Sequence, residues 1–122
     1  MNARILVIED DRFLRKACEV GLTKRGFTIT TATNGEDGLR CAEAELPDLI
    51  LLDMRMPRLT GMEALAALKK NEKTRPIPVA ILSNSFCDTT IQEAKSLGVV
   101  GYLVKSDISL RELGDRVTGF LS

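Results

Sequence analysis

Residues 49–61 read LILLDMRMPRLTG, an unbroken apolar run that ends at Asp53 and is followed by a proline and a glycine. A strand that is buried on both faces of a parallel sheet has this continuous apolar character. The runs Ile5–Ile8 and Val79–Leu82 share it and predict two further buried strands. The sequence thus predicts a parallel sheet with helices packed on both faces.

The remaining segments complete five strand–helix units. Two more strands are predicted at Phe27–Ala32, whose alternating threonines are typical of a sheet edge, and at Val99–Val104. Helical spacing of apolar residues fills the intervals, at residues 12–25, 36–45, 61–72, from about 88 and from 109. Asp88 is the predicted N-cap of the fourth helix, and Ser109 with Glu112 is the predicted capping box of the fifth. This alternation predicts an α/β fold, a (βα)5 doubly wound five-stranded parallel sheet in the flavodoxin-like order 2-1-3-4-5.

Composition and charge narrow the possible functions. The chain has 122 residues, which predicts a single domain over residues 1–122. Lys plus Arg and Asp plus Glu both number 17, and this balance argues against binding to nucleic acid or to an anionic membrane. The chain contains no histidine, which excludes histidine bases and histidine metal ligands.

The cysteines and the N-terminal sequence indicate the cellular compartment in which the protein is expected. Three widely spaced cysteines without a CxxC pair predict reduced thiols and a cytoplasmic protein: Cys18, Cys41 and Cys87. The apolar run near the N-terminus is far shorter than the roughly 20 residues that cross a bilayer. It also lacks the form of a signal peptide.

Polar side chains follow four of the predicted strands. They are the acidic run Glu9-Asp10-Asp11, then Asp53, Ser83 and Lys105. The carboxyl ends of parallel strands share one edge of the sheet, where open α/β sheets bind their ligands. Each residue also has an ordinary explanation, and one of Asp10 and Asp11 is expected to cap the first helix. Together, however, clustered carboxylates beside a lysine predict a charged site.

This set of side chains suits phosphoryl transfer to a carboxylate. Closely spaced carboxylates repel one another unless a cation lies between them, and hard oxygen ligands favour Mg²⁺. An aspartate can act as the nucleophile and form an aspartyl phosphate. A lysine, a metal ion and a hydroxyl can stabilise the charge on the phosphoryl oxygens in transfer.

At these positions the sequence resembles the receiver domain of two-component response regulators, over essentially its full length. The resemblance rests on four stretches: Val7-Ile8-Glu9-Asp10-Asp11, Leu52 to Pro57 with Gly61, Leu82-Ser83, and Tyr102-Leu103-Val104-Lys105. It implies that Asp53 accepts phosphate from the phosphohistidine of a sensor histidine kinase or a phosphotransfer protein. It further implies that Mg²⁺ is held by Asp10, Asp11, Asp53 and the backbone carbonyl of Arg55.

The resemblance also implies a conformational switch. Ser83 would hydrogen-bond the phosphoryl group and Lys105 would pair with it. Tyr102 would turn inward when Ser83 moves, which alters a surface made of the fourth helix, the fifth strand and the fifth helix. That surface would bind a downstream protein or a second copy of the chain. The chain would then be no enzyme, apart from catalysing its own phosphorylation and dephosphorylation.

Two positions depart from the usual receiver pattern. Ser106 follows Lys105 where the family usually has proline after a cis bond. Because a cis bond before any other residue costs about 2.5–4 kcal/mol, the Lys105–Ser106 bond is predicted to be trans. Asn84 follows Ser83 where a small residue is usual, and is predicted to crowd the phosphoryl group.

Two other functions remain as alternatives. A magnesium-dependent phosphatase of the haloacid dehalogenase type also uses an aspartate nucleophile, but it carries a second acid two residues later, where this sequence has Arg55. A degenerate receiver that serves only as a binding module would not need the intact set of acids, hydroxyl and lysine. The sequence leaves open whether the chain is a stand-alone regulator or part of a longer one.

Overall fold

Strands and helices alternate along the chain in the computed structural model, which describes residues 3–56, 58–83, 89–106 and 108–121. The strands are β1 (Arg4–Ile8), β2 (Thr28–Ala32), β3 (Leu49–Asp53), β4 (Val79–Ser83) and β5 (Gly101–Val104). The helices are α1 (Arg12–Lys24), α2 (Gly35–Glu45), α3 (Gly61–Lys70), α4 (Thr89–Ser96) and α5 (Leu110–Leu121). In this part of the chain, no helix combines the length and the apolar character needed to cross a membrane.

All the strand pairs are parallel and the order is β2-β1-β3-β4-β5, which confirms the predicted fold. The register aligns the carboxyl ends of the inner strands. Ile8 lies opposite Leu52, and Asp53 lies opposite Leu82. The residues that follow β1, β3 and β4 therefore emerge at one edge of the sheet.

Successive residues of the inner strands feed two separate hydrophobic cores. On one face Leu6, Ile50 and Ile81 pack with buried residues of α2, α3 and α4. On the other face Val7 and Leu51 pack with buried residues of α1 and α5. Because side chains alternate between faces and both faces are covered, the inner positions of these strands are apolar, and polar residues stand only at strand ends: Arg4, Asp53 and Ser83. Burying each such side chain contributes about 1.5–3 kcal/mol.

Local hydrogen bonds determine where the helices begin. The amide of Glu112 donates to Ser109 Oγ at 3.1 Å, as predicted for α5. Helix α3 carries a capping box that the sequence analysis did not identify, in which Thr60 and Glu63 each accept from the other's backbone amide. The predicted N-cap of α4, Asp88, lies outside the described residues.

Candidate functional site

A lysine joins two buried carboxylates at the carboxyl edge of the sheet. Lys105 Nζ lies 2.8 Å from Glu9 Oε1 and 2.9 Å from Asp53 Oδ1. The exposed fraction is 0% for Glu9 and 1% for Asp53, and that of the Lys105 side chain is 16%. One positive charge thus faces two buried negative charges, which leaves the site with an excess of negative charge.

The two oxygens of Asp53 have different surroundings. Oδ1 accepts a hydrogen bond from the backbone amide of Arg55 at 3.1 Å, in addition to its ion pair with Lys105. Oδ2 is buried and accepts no hydrogen bond from any described residue. A buried charged oxygen without a partner is costly, so this atom is the natural place for a further cation or an electrophile.

Glu9 is held from several directions. Its amide donates to the carbonyl of Ala32 at 3.1 Å, and its Oε2 accepts from the amide of Asp11 at 3.0 Å. Glu9 was predicted to lie at this edge but was not among the predicted metal ligands. The sequence signal for its role was its position directly after the buried strand β1. The first residue after a buried strand is more deeply buried than the residues that follow it.

The three consecutive acids Glu9, Asp10 and Asp11 have two different roles in the structure. Carboxylate oxygens of Glu9, Asp10 and Asp53 all lie within 4.8 Å of one another, close enough to share one metal ion. Asp10 is exposed, whereas the other two are buried. These three residues, which are here called the acidic cluster, are the group that the structure brings together.

Asp11, one of the predicted metal ligands, lies outside the acidic cluster and at the start of α1. Its Oδ1 accepts hydrogen bonds from the amides of Phe13 at 2.9 Å and Leu14 at 3.2 Å. It therefore caps α1, which confirms the expectation that one of Asp10 and Asp11 does so. A capping carboxylate stabilises a helix by about 1 kcal/mol, and these two hydrogen bonds occupy Oδ1 of Asp11.

Burial and crowding shift the protonation equilibria of the site. Burial, with a further contribution from the neighbouring Asp53 carboxyl, raises the pKa of Glu9 to about 7. Burial alone would lower the pKa of Lys105, but its contacts with Asp53 and Glu9 outweigh that effect and raise it. The lysine is therefore charged at neutral pH, while Glu9 is close to its titration point.

We expect the free energy of unfolding of the metal-free protein to decrease as the pH rises from about 5 to about 8. Glu9 has a pKa near 7 in the folded state and 4.5 as its ordinary value, so the folded state binds more protons in this window. The stabilisation is complete below pH 4.5 and is lost as the pH rises through 7. Its full size should be about 3 kcal/mol. Urea denaturation in EDTA at several pH values measures it.

The Glu9→Gln variant tests the source of this slope. It should lose most of the dependence on pH, whereas the exposed Glu72→Gln variant should keep it. An equally steep slope in Glu9→Gln would show that another group is responsible.

Ser83 and Tyr102, the predicted switch residues, lie on the neighbouring strands. Ser83 is the buried last residue of β4, and its carbonyl accepts from the amide of Lys105 at 2.8 Å, which ties the ends of β4 and β5 together. Tyr102 is half-buried in β5, and the Nζ of Lys95 lies 5.1 Å from the centre of its ring. Tyr102 thus lies on the flank of the site, in contact with α4.

Two features of the site loops bear on the remaining predictions. The described residues contain no cis peptide bond, so the Lys105–Ser106 bond is trans as predicted. Lys105 still reaches both buried carboxylates, so proline is not required for that contact. Asn84 and Pro57 lie outside the described residues, and the predicted crowding by Asn84 stays a prediction.

Gly61 allows the loop after β3 to fold tightly beneath the site. A Cβ at this position would lie 2.4 Å from the carbonyl oxygen of Asp53 and 2.5 Å from the Cα of Met54. Both atoms belong to the backbone and cannot move aside easily. The glycine of the quoted stretch is thus explained by close approach to the residue that bears the central carboxylate.

Comparison with known proteins gives relatives along nearly the whole chain. The alkaline phosphatase synthesis transcriptional regulatory protein PhoP of Bacillus subtilis is 33% identical over 121 residues, which cover 99% of this chain and 49% of that protein. Protein PilH of Pseudomonas aeruginosa is 36% identical over 103 residues, 84% of this chain and 85% of that protein. The chain spans about half the length of several curated relatives.

Solved structures agree with this relationship. The chemotaxis response regulator CheY4 of Vibrio cholerae superimposes with a TM-score of 0.92 at 26% identity, covering 99% of this chain and all of that one. The receiver domain of the sensor histidine kinase PA1611 of Pseudomonas aeruginosa gives 0.89 at 26% identity, covering 99% and 98%, and holds a magnesium ion in its active site cleft. The family model of the response regulator receiver domain matches residues 5–118. The chain therefore belongs to the receiver domain family of two-component response regulators.

Proposed function

We propose that this receiver domain accepts a phosphoryl group on Asp53 in a Mg²⁺-dependent reaction. The observation that carries the proposal is the state of the Asp53 carboxylate. One oxygen is fixed by Lys105 and by a backbone amide, while the other is buried without a hydrogen bond from any described residue. A fixed, poorly solvated carboxylate oxygen is a good nucleophile for phosphorus.

The acidic cluster fits Mg²⁺. Glu9, Asp10 and Asp53 offer closely spaced carboxylate oxygens, and one buried oxygen of Asp53 lacks a partner among the described residues. The backbone carbonyl of Arg55, implied by the resemblance, would complete the protein ligands. When bound, the ion would neutralise the carboxylates and the phosphoryl oxygens. Asp11 is left out of this set because it caps α1.

Residues 1–122 contain no histidine, so a phosphohistidine donor lies outside them. A phosphohistidine of a sensor kinase or of a phosphotransfer protein would supply the group. The Asp53 oxygen forms a bond to phosphorus as the phosphorus–nitrogen bond breaks, and the electron pair leaves with the imidazole nitrogen. Lys105 would remain charged beside Asp53, and the hydroxyl of Ser83 would donate to a phosphoryl oxygen.

The surface of α4, β5 and α5 is the proposed output. Tyr102 lies on it beside Lys95, and a cleft of about 290 Å³ runs between β5 and α5. The cleft is lined by Tyr102, Leu103, Val104, Ile108, Glu112, Asp115 and Arg116. Movement of Ser83 towards the phosphate would let Tyr102 turn inward, and this surface would then bind a downstream protein or a second copy more tightly.

The alternative as a phosphatase of the haloacid dehalogenase type has little support. Such an enzyme needs a second acid two residues after its nucleophile. Here that residue is the exposed Arg55, whose amide binds Asp53 Oδ1. An arginine cannot supply a proton to a leaving group at neutral pH.

The direct test is incubation with phosphoramidate, which carries a phosphorus–nitrogen bond, followed by measurement of the intact mass. We expect the mass of one phosphoryl group to appear with Mg²⁺ and not with EDTA. No gain of mass under either condition would contradict the proposal.

The output surface is tested by amide hydrogen exchange with and without beryllofluoride, which mimics the phosphoryl group. Protection should change in α4, β5 and α5 as well as around Asp53. Changes confined to the loops around Asp53 would show that this surface is not the output.

A further inference from the structure

We infer that Arg15 is a positioning residue that fixes the backbone of the acidic cluster from the side of α1. Its Nη1 donates to the carbonyl of Glu9 at 2.9 Å and to the carbonyl of Asp10 at 3.3 Å. Glu9 and Asp10 are the consecutive members of the acidic cluster. One guanidinium group therefore holds the peptide units that carry two of the three carboxylates.

The geometry of α1 makes this contact possible. Side chains on a helix point towards its N-terminus, so a long side chain in the second turn reaches back to the segment before the helix. Two backbone amides of that segment already donate hydrogen bonds. The amide of Glu9 donates to the carbonyl of Ala32, and the amide of Asp11 donates to the Glu9 carboxylate. Arg15 adds hydrogen bonds to the backbone carbonyls of the same segment. Without Arg15, the segment would lose both of these hydrogen bonds on its carbonyl side and could rotate.

Two possible roles of Arg15, as a positioning residue and as a positive charge, predict opposite effects on the affinity for a cation. The two hydrogen bonds that its Nη1 donates go to backbone carbonyls rather than to carboxylates. As a positive charge near the acidic cluster, it would weaken the binding of Mg²⁺ by repulsion. As a positioning residue, it would strengthen binding by holding the ligands in place, in the way that outer residues support metal ligands. The sign of the change on removal therefore separates the two roles.

The experiment compares Arg15→Met with Arg12→Met, which removes the same charge from the exposed first position of the same helix. This inference rests on the proposed function only in taking Mg²⁺ as the ion. In a titration with Mg²⁺, Arg15→Met should bind about tenfold more weakly than the wild type. Arg12→Met should bind as tightly as the wild type or slightly tighter. Arg15→Lys should recover part of the loss, because lysine lacks the planar fork but can reach one carbonyl.

A second measurement needs no metal. Amide hydrogen exchange in EDTA should be faster at Asp10 and Asp11 in Arg15→Met than in Arg12→Met. Equal exchange in these variants would overturn the inference, and so would Mg²⁺ binding in Arg15→Met as tight as in Arg12→Met when the wild type binds the ion. If the wild type bound no Mg²⁺ while exchange still rose in Arg15→Met, the proposed function would fail and the positioning role of Arg15 would stand.

Discussion

The Asp53→Asn variant should gain no phosphoryl group under conditions in which the wild type gains one. An amide lacks the negative charge that makes the carboxylate a nucleophile, and the loss should exceed about a thousandfold in rate. Intact mass after incubation with phosphoramidate and Mg²⁺ measures the effect. Peptide mapping of the wild type should place the added mass on the segment that contains Asp53.

Asp48→Asn is the matched control, because Asp48 is an exposed aspartate just before the other end of the same strand. It should be phosphorylated like the wild type. The stability of Asp53→Asn in EDTA shows whether that variant folds, and it should be unchanged or higher, because one of two crowded carboxylates is gone. Mg²⁺-dependent phosphorylation of Asp53→Asn at the wild-type rate would remove Asp53 from the proposal.

The sheet could be predicted because each inner strand carries its signal in consecutive residues. The apolar runs at residues 5–8, 49–52 and 79–82 match strands that are buried on both faces, and the predicted order is a common one for five strand–helix units. Asp53 and Lys105 were located for the same reason, since each stands where an apolar run stops. Long-range order in this fold is thus encoded by short local patterns.

Which acids of the run join the acidic cluster and which one caps α1 could not be predicted in the same way. Glu9, Asp10 and Asp11 are adjacent and chemically similar, so composition does not rank them. Their roles depend on where the chain turns from β1 into α1, and the capping bonds of Asp11 fix that turn. With Asp11 capping the helix, Glu9 and Asp10 are the acids of the run that belong to the acidic cluster, and Glu9 is the one paired with Lys105. A one-residue difference in the turn therefore changes the predicted ligand set.

Charge imbalance is a property of the site that only the structure gives. Lys105 is the ion-pair partner of both Glu9 and Asp53, and both carboxylates are buried. Burial, together with the neighbouring Asp53 carboxyl, raises the pKa of Glu9. Such a site costs stability when it is empty and regains it when a cation binds, so affinity for a metal ion and reactivity toward phosphorus have the same origin.

The Lys105→Met variant should lose about 3–5 kcal/mol of stability in EDTA at pH 8, because two buried carboxylates are left without their cation. The loss should be smaller at pH 5, where Glu9 can take up a proton. Urea denaturation at the two pH values measures both effects. The exposed Lys95→Met variant removes the same charge outside the site and should change stability by less than about 1 kcal/mol.

Adding the substitution Glu9→Gln to Lys105→Met separates the electrostatic cause from a loss of packing. If repulsion between the carboxylates is responsible, the double variant should recover at least half of the lost stability, since only Asp53 then stays charged. Millimolar Mg²⁺ should also stabilise Lys105→Met more than it stabilises the wild type, because the ion replaces the missing positive charge. A double variant as unstable as Lys105→Met, with no extra stabilisation by Mg²⁺, would mean that the lysine supports the site through the packing of its aliphatic chain and not through its charge.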